Sequence, residues 1–194
     1  MSARPRPVPP PFDPQPRLLG PSLSLRPLRA EDFEPLVAVA SDPELWAQHP
    51  DPQRAEPEIF RQRFFEPGLA SGGALLICER RTGAVIGSSR YYDWDPQAEE
   101  VAIGYTFLAR SHWGSGANGE LKALMLRYAF RWAQAVWFHV GAENLRSRKA
   151  VEKLGAELVR MVPTPVNGQL VDYCHYRLRP SEARYAGGGQ TVGA

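Results

Sequence analysis

Residues 102–130 read AIGYTFLARSHWGSGANGELKALMLRYAF, and this stretch governs how the middle of the chain folds. It begins as an apolar strand pattern and ends with apolar residues at helical spacing, which predicts a strand followed by an amphipathic helix. Between the two lie Gly114, Gly116 and Gly119, in the pattern G-x-G-x-x-G. This pattern is typical of dinucleotide-binding loops, but alone it is not specific.

The surroundings of the glycines fit neither of the common nucleotide-binding folds. A Rossmann fold places its glycines in the first β-α turn and an acidic residue roughly 20 residues further on. Here several strands come first, and Glu143 is poorly placed for that role. A Walker loop requires lysine and then serine or threonine, where this chain has Glu120 and Leu121. Two interpretations remain: a structural turn with positive φ, and a loop whose free amides at a helix start bind another phosphate.

Composition indicates an ordinary globular protein. The chain has 194 residues, of which 43% are hydrophobic and 23% charged. Its net charge of +2 is too small for the basic footprint that nucleic acid requires, and no apolar run approaches the roughly 20 residues of a membrane span. The N-terminus lacks the apolar core of a signal peptide. We therefore expect a cytoplasmic protein with no nucleic-acid or membrane partner, and the scattered histidines predict no metal site.

The pattern of strands and helices predicts one folded domain between two tails. Residues 1–21 are rich in proline and predict a flexible arm, or one laid over the domain surface. The domain is expected at 22–180, with a flexible tail at 181–194. Its predicted order is β-α-α-β-β-β-α-β-α-β-β, in which residues 99–140 form a parallel strand-helix-strand crossover and Asn167-Gly168 marks a hairpin turn.

Three stretches together resemble the GCN5-related N-acetyltransferases (GNAT superfamily), and more closely the RimJ/RimL-like branch. They are residues 102–130, LSLRPLRAEDFEPL (23–36) and NLRSRKAVEKLGA (144–156). The resemblance implies an α/β or α+β layered fold: a mixed, mostly antiparallel sheet of about seven strands, splayed in the middle, with helices on both faces. It also implies transfer of acetyl from acetyl-CoA to a primary amine by direct attack. The implied acceptor is a protein or peptide N-terminus, and the resemblance makes a homodimer plausible.

The resemblance assigns a set of residues to acetyl-CoA. The family's loop motif, Gln/Arg-x-x-Gly-x-Gly/Ala, corresponds to Ser111-x-x-Gly114-x-Gly116, with serine in the first position. Loop amides are expected to hold the pyrophosphate, and the preceding strand end is expected to pair with the pantetheine arm. Asn144 matches an asparagine that binds pantetheine, and it also suits a helix N-cap. The predicted cofactor-binding residues are Phe107, Leu108, Trp113, Gly114, Ser115, Gly116, Ala117, Asn118 and Asn144.

Ser147 is the predicted catalytic residue of the asparagine-led helix. It lies on the same face as Asn144 and Val151. Many relatives carry a tyrosine acid at the position of Val151, which cannot serve in that way. The resemblance implies that Ser147 stabilises the departing CoA thiolate instead. The alternative is a serine that simply faces solvent.

Glu100 is the predicted general base. Relatives often carry glutamate at the position of Ala102, and Glu100 lies two residues earlier on the same face of the strand. Asp93 and Asp95 are the alternatives, and all three also suit solvated surface charges. A backbone N–H near Leu108 is expected to stabilise the oxyanion.

The acceptor side is the least specified by the sequence. Trp46 and Trp94 are predicted to line the acceptor cleft, and His139 is expected to be a packed core histidine because it lies in an apolar strand. Two other functions stay open: acetylation of a small-molecule amine such as an antibiotic or polyamine, and a non-catalytic acyl-CoA sensor. The sensor is considered because Ala102 and Val151 stand where catalytic side chains are often found.

Overall fold

The backbone alternates strands and helices in nearly the order that the sequence predicts. The structure is a computed structural model and describes residues 11–184. Its strands are β1 (Leu18–Leu19), β2 (Leu23–Pro27), β3 (Ala74–Glu79), β4 (Val85–Asp95), β5 (Glu100–Leu108), β6 (Ala135–Gly141), β7 (Glu157–Val166) and β8 (Gln169–Leu178). Its helices are α1 (Phe33–Ala40), α2 (Pro57–Phe60), α3 (Glu66–Ala70), α4 (Ala117–Ala129) and α5 (Leu145–Lys153), and a π-helical turn, Arg61–Phe65, joins α2 to α3.

The strands form one eight-stranded sheet in the order β1-β2-β3-β4-β5-β6-β8-β7. Every neighbouring pair is antiparallel except β5 and β6, which are parallel because α4 carries the chain back between them. The predicted crossover and the mixed, mostly antiparallel sheet are thus confirmed. At the β7–β8 hairpin, Asn167 and Gly168 have φ values of 49° and 80°, as a two-residue turn requires.

Apolar side chains form two cores on opposite faces of the sheet. Along β3, Leu75 and Ile77 belong to one core and Ala74 and Leu76 to the other, as alternation along a strand requires. Helix α4 packs on the first core through Leu121, Met125, Leu126 and Ala129. Helix α1 and the helical stretch 57–70 cover the second through Phe33, Leu36, Phe60, Phe64 and Phe65. The predicted helices on both faces are therefore present.

Part of the segment predicted as a flexible arm has a fixed place in the structure. Phe12 is only 8% exposed, and its ring packs on Tyr91, Trp94 and Trp132 at 4.8–5.8 Å between centroids. Leu18–Leu19 pairs with β2 and adds the eighth strand, where the sequence predicted about seven. The arm is held because one large aromatic side chain fills a gap in the first core. Residues 1–10 and 185–194 lie outside the described residues.

Phe12→Ala is expected to lower the free energy of unfolding by about 3 kcal/mol, since removing a buried phenylalanine leaves a cavity. Leu19→Ala is the matched control in the same segment, because Leu19 is 70% exposed. That control should change the free energy by less than about 0.5 kcal/mol. Urea unfolding measures both, and equally small losses would show that the arm does not contribute to the core.

Candidate active site

A V-shaped cleft opens in the middle of the sheet where β5 and β6 stop pairing. The two strands are paired at Glu100 with Ala135, Val101 with Val136 and Ala102 with Trp137. Beyond these pairs, each strand keeps its outer neighbour: β5 pairs with β4 as far as Leu108, and β6 pairs with β8 as far as Gly141. The inner edges of β5 and β6 beyond that point have no strand partner among the described residues, so their backbone groups face the cleft.

A bulge in β5 lies beside the cleft. Gly104 pairs with Arg90 and Phe107 pairs with Ser88, so two residues of β5, Tyr105 and Thr106, stand opposite one residue of β4. Tyr105 has a φ of 51°, in the left-handed region. The Arg90 guanidinium lies 4.1 Å from the centroid of the Tyr105 ring and supports it in this conformation. The bulge bends β5 where the two strands separate.

The cleft has a volume of about 150 Å³ and is lined from several parts of the chain. Strands β5 and β6 form its walls, and α4, α5, the 46–64 region and β8 contribute further lining side chains. Its titratable lining residues are His49, Arg54, Tyr105, Lys122, His139 and Tyr173. All lining residues belong to the described range, and no aspartate or glutamate is among them. The cleft is therefore either neutral or positively charged.

The glycine-rich loop leads into α4 with its backbone exposed. Gly114 and Gly116 have φ values of 74° and 87°, and a Cβ added at either would meet no atom within 4 Å. Within residues 11–184, the N–H groups of Ser115, Gly116 and Asn118 have no acceptor in the protein. The conformation is that of a turn with positive φ, and it also leaves open donors at the start of a 13-residue helix. The turn with positive φ is therefore confirmed, and phosphate binding by its open amides stays a prediction.

Two contacts hold this loop in place. The Trp113 indole N–H donates to the Leu108 carbonyl at 3.0 Å, which links the loop to the end of β5. The Arg146 guanidinium stacks 3.9 Å from the centroid of the Trp113 ring, which links the loop to α5. The loop, the strand end and α5 are thus connected around one end of the cleft.

The face of α5 that the sequence predicts to carry site residues lines the cleft. Asn144, Ser147 and Val151 all line it. The Asn144 Oδ1 accepts a hydrogen bond from the Ser147 backbone N–H at 3.1 Å, so the interpretation of Asn144 as an N-cap is confirmed. Asn118, on the first turn of α4, also lines the cleft. The helix period brings these side chains to the cleft from two different helices.

Trp46 and Phe107 lie where the second core meets the cleft. Trp46 lines the cleft but is only 3% exposed, and its ring lies 5.3 Å from that of Phe107. Its indole N–H donates to the Ala40 carbonyl at 2.7 Å. Phe107 directs its side chain into the second core, which leaves its backbone as the part available to a ligand.

Other predicted site residues do not line the cleft. The Glu100 carboxylate accepts a hydrogen bond from the Trp137 indole N–H at 2.7 Å, at the end of β5 where the strands are still paired. Trp94 packs against Phe12 on the side of the first core. Asp95 accepts hydrogen bonds from two backbone amides in the β4–β5 turn. Asp93 is exposed and, like Glu100 and Asp95, does not line the cleft.

His139 is a cleft residue that the sequence did not reveal. The expectation of a packed core histidine is wrong, because its half-buried ring lines the cleft beside Tyr105. Its Nδ1 lies 3.1 Å from the Tyr92 hydroxyl, and its ring stacks on His175 at 3.9 Å between centroids. Burial, and then the neighbouring His175, lowers the pKa of His139 to about 4, so the imidazole is neutral at pH 7.

Lys122 is a second cleft residue that the sequence did not reveal. It is only 5% exposed, and its Nζ donates to the Thr106 hydroxyl at 2.8 Å in the cleft wall. Burial lowers the pKa of Lys122 to about 7. The signal in the sequence is its helical spacing, because Lys122 lies four residues after Asn118 and four before Leu126, on the inward face of α4.

Residues 11–184 contain neither a helix that could span a membrane nor a cluster of side chains that could hold a metal ion. No helix in this range is long and apolar enough to cross a membrane. In the same range, no group of three or more histidine, cysteine, aspartate or glutamate side chains is placed to hold a metal ion.

The fold is shared with many solved acetyltransferases. A protein from T. thermophilus that is described as an acetyltransferase is 27% identical, with a TM-score of 0.69, over 94% of this chain and 93% of that one. A GCN5-related N-acetyltransferase from Brucella melitensis is 20% identical, with a TM-score of 0.76, over 87% and 80% of the two chains. RimJ from Mycobacterium smegmatis, solved with CoA-disulfide, is 17% identical, with a TM-score of 0.67, over 86% and 87%. At such identities, the last two show the fold alone.

The sequence itself carries the family signature. No curated protein matches the chain. Residues 22–157 match the family model described as an acetyltransferase (GNAT) domain, and this range covers more than half of the chain. It contains the glycine-rich loop, both walls of the cleft and all of α5. With a splayed sheet and an open helix start at the positions that the motif predicts, the protein belongs to the GNAT acetyltransferase family and is an N-acetyltransferase.

Proposed function

We propose that this protein transfers the acetyl group of acetyl-CoA to a primary amine by direct attack, and that the acceptor is the N-terminal amine of a protein or peptide. The single observation that carries this proposal is the cleft between β5 and β6. Two unpaired strand edges offer backbone donors and acceptors to an elongated polar chain, and the cleft is open enough to admit a thioester.

The residues present fit acetyl-CoA as a substrate. The open amides of Ser115, Gly116 and Asn118 and the positive end of the α4 dipole suit a pyrophosphate. The free edge of β5 near Phe107 and Leu108 suits the amides of a pantetheine arm, because it already has the hydrogen-bonding pattern of a strand. Asn144 lines the cleft at the start of α5.

The chemistry then requires three things of the protein. The acceptor amine must lose a proton before it attacks the carbonyl carbon. The oxygen that becomes negative needs an N–H donor, which the backbone of β5 beside its bulge supplies. The departing thiolate needs a proton or a hydrogen bond, and Ser147 is the hydroxyl on α5 that lines the cleft.

The charge of the cleft supports a peptide acceptor over a polycation. No carboxylate lines it, so a polyamine or a multiply charged antibiotic would meet no complementary negative charge there. RimJ from M. smegmatis and a ribosomal-protein-serine acetyltransferase homologue from Vibrio cholerae share the fold, and the name of the latter describes a protein acceptor. A peptide carries a single N-terminal amine and adds no further positive charge.

An acceptor screen separates this function from its alternatives. Release of free CoA thiol is measured with peptides that have free N-termini, with the same peptides blocked at the N-terminus, and with small polyamines. Turnover of only the free peptides supports the proposal. Turnover of only the polyamines would overturn the acceptor assignment. A rise in melting temperature with acetyl-CoA but no turnover with any amine would indicate a sensor.

Gly114→Ala is expected to weaken acetyl-CoA binding by about 10- to 100-fold, because a methyl group over the loop obstructs charge-assisted hydrogen bonds to phosphate. Gly83→Ala is the matched control. Gly83 also has a φ of 74° and open space around it, but it lies in the β3–β4 turn. The two variants carry the same backbone strain, so equal losses of affinity in a calorimetric titration would contradict the assignment of the loop.

Ser147→Ala is expected to lower kcat roughly a hundredfold while leaving the affinity for acetyl-CoA nearly unchanged, because the thiolate loses its hydrogen-bond donor only as it departs. Steady-state kinetics and acetyl-CoA titration measure the two quantities. Lys153→Ala, an exposed change on the same helix, serves as control. An unchanged kcat in Ser147→Ala would leave the serine as a solvated helix residue.

Substitutions can decide whether His139 or Glu100 is the general base. His139 is neutral at pH 7 and lines the cleft, whereas the Glu100 carboxylate is bonded to Trp137. We therefore expect His139→Asn to lower kcat roughly a hundredfold. Glu100→Gln should keep most of the activity. If Glu100→Gln lowered kcat more than His139→Asn, Glu100 would be the general base, as the sequence predicts.

A further inference from the structure

Lys122 is a buried amine without a counterion. Its side chain comes from α4, below the sheet, and its Nζ meets the Thr106 hydroxyl at 2.8 Å and the Phe138 ring at 5.7 Å from the centroid. No carboxylate of the described residues lies within ion-pair distance of it. An ammonium has three donors, so this environment leaves Lys122 with donors that the protein does not satisfy.

The surroundings of Lys122 favour its neutral form. Desolvation is the one cause that lowers its pKa, to about 7, and no charged group on β5, β6 or α5 shifts it. The other titratable groups that line the cleft are His49, Arg54, Tyr105, His139 and Tyr173. A solvated lysine has a pKa of about 10.4, so Lys122 holds on the order of a thousandfold more free amine at pH 7. A free amine is the form that attacks a thioester.

The contacts of Lys122 place this amine beside the bulge of β5, where the proposed function puts the thioester carbonyl. Thr106, its hydrogen-bond partner, belongs to the bulge of β5, and Phe138 is the first residue of β6 beyond the last strand pair. Lys122 therefore approaches the cleft from the α4 side, opposite to His139, whose side chain lies on the other face of β6. An acceptor entering from the His139 side and Lys122 would compete for the same carbonyl carbon.

We propose that Lys122 is a site of self-acetylation, at which its Nζ takes the acetyl group of acetyl-CoA bound in the cleft. A nitrogen–carbon bond forms as the carbon–sulfur bond breaks, the electron pair leaves with the CoA thiolate, and the proton lost by Nζ passes to the thiolate or to water. The product is a neutral amide, which removes the cost of a buried ammonium and stays in the cleft. This inference rests on the proposed use of acetyl-CoA.

The small number of lysines makes the site of acetylation easy to assign. It has only three lysines, Lys122, Lys149 and Lys153, against 20 arginines. Lys149 and Lys153 are exposed on α5 and serve as internal controls for unassisted chemical acetylation. Lys122→Arg removes the nucleophile and keeps a cation, and Lys122→Met removes both, so that at least one variant is expected to fold.

The full chain is incubated with acetyl-CoA and no acceptor, and intact mass and peptide mapping follow the acetyl groups. We expect up to one acetyl group per chain on Lys122, released CoA thiol in equal amount, and a rate at least about tenfold above that of Lys149. The rate should rise as the pH passes through about 7, because the amine is deprotonated there. Both Lys122 variants should lose this signal, and the double variant Lys149→Arg, Lys153→Arg should keep it.

The measurements distinguish failure of the self-acetylation proposal from failure of the proposed function. If acetyl-CoA raises the melting temperature but Lys122 stays unmodified, self-acetylation is overturned and the proposed function stands. Acetylation of all three lysines at similar rates would also overturn it, since that is surface chemistry. If acetyl-CoA produces no shift in melting temperature, the proposed function fails, and the inference about Lys122 fails with it.

Discussion

The end of pairing between β5 and β6 is the constraint on which the rest of this structure depends. After Ala102 and Trp137, the inner edges of two central strands carry backbone groups without strand partners. Such groups are costly when they are buried away from water, so an open cleft at this point must be filled by solvent or by a polar ligand. The bulge at Tyr105 bends one strand away, and the parallel direction of the pair places both free edges on the same side. The site is therefore a consequence of how the sheet is built.

The two cores hold β5 and β6, the walls of this cleft, apart. Helix α4 packs under the sheet through the first core, and α1 with the helical stretch 57–70 packs above it through the second. Each strand of the cleft also keeps an antiparallel partner on its outer edge. The separation thus rests on packing against both faces of the sheet and on the bulge in β5. Rigid walls of this kind suit a reaction that depends on the positions of a thioester and an amine.

The parts of the site that could be predicted from the sequence are those set by local geometry. The glycines at 114 and 116 indicate a loop with open amides, because that conformation depends on a few consecutive residues. Asn144 and Ser147 were predicted to share a face because the helix period is regular. The prediction of Glu100 as the base rests on the family resemblance at Ala102 and on strand alternation, and alternation gives the face of a residue but not its distance from the cleft. Lys122 and His139 each lie within an apolar pattern that indicates a core, so the pattern alone does not show that they face a cleft.

The sequence by itself determined the order of strands and helices, the crossover through α4, the glycine-rich loop and the cap of α5. Each of these depends on neighbouring residues or on a regular period. Only the tertiary structure decided where β5 and β6 part, and hence that Lys122 and His139 face a cleft while Glu100 and Trp94 do not. That outcome depends on the register between strands that are far apart in the chain and on packing from both faces. Local patterns carry no information about either, because the same alternating residues would suit a closed sheet equally well.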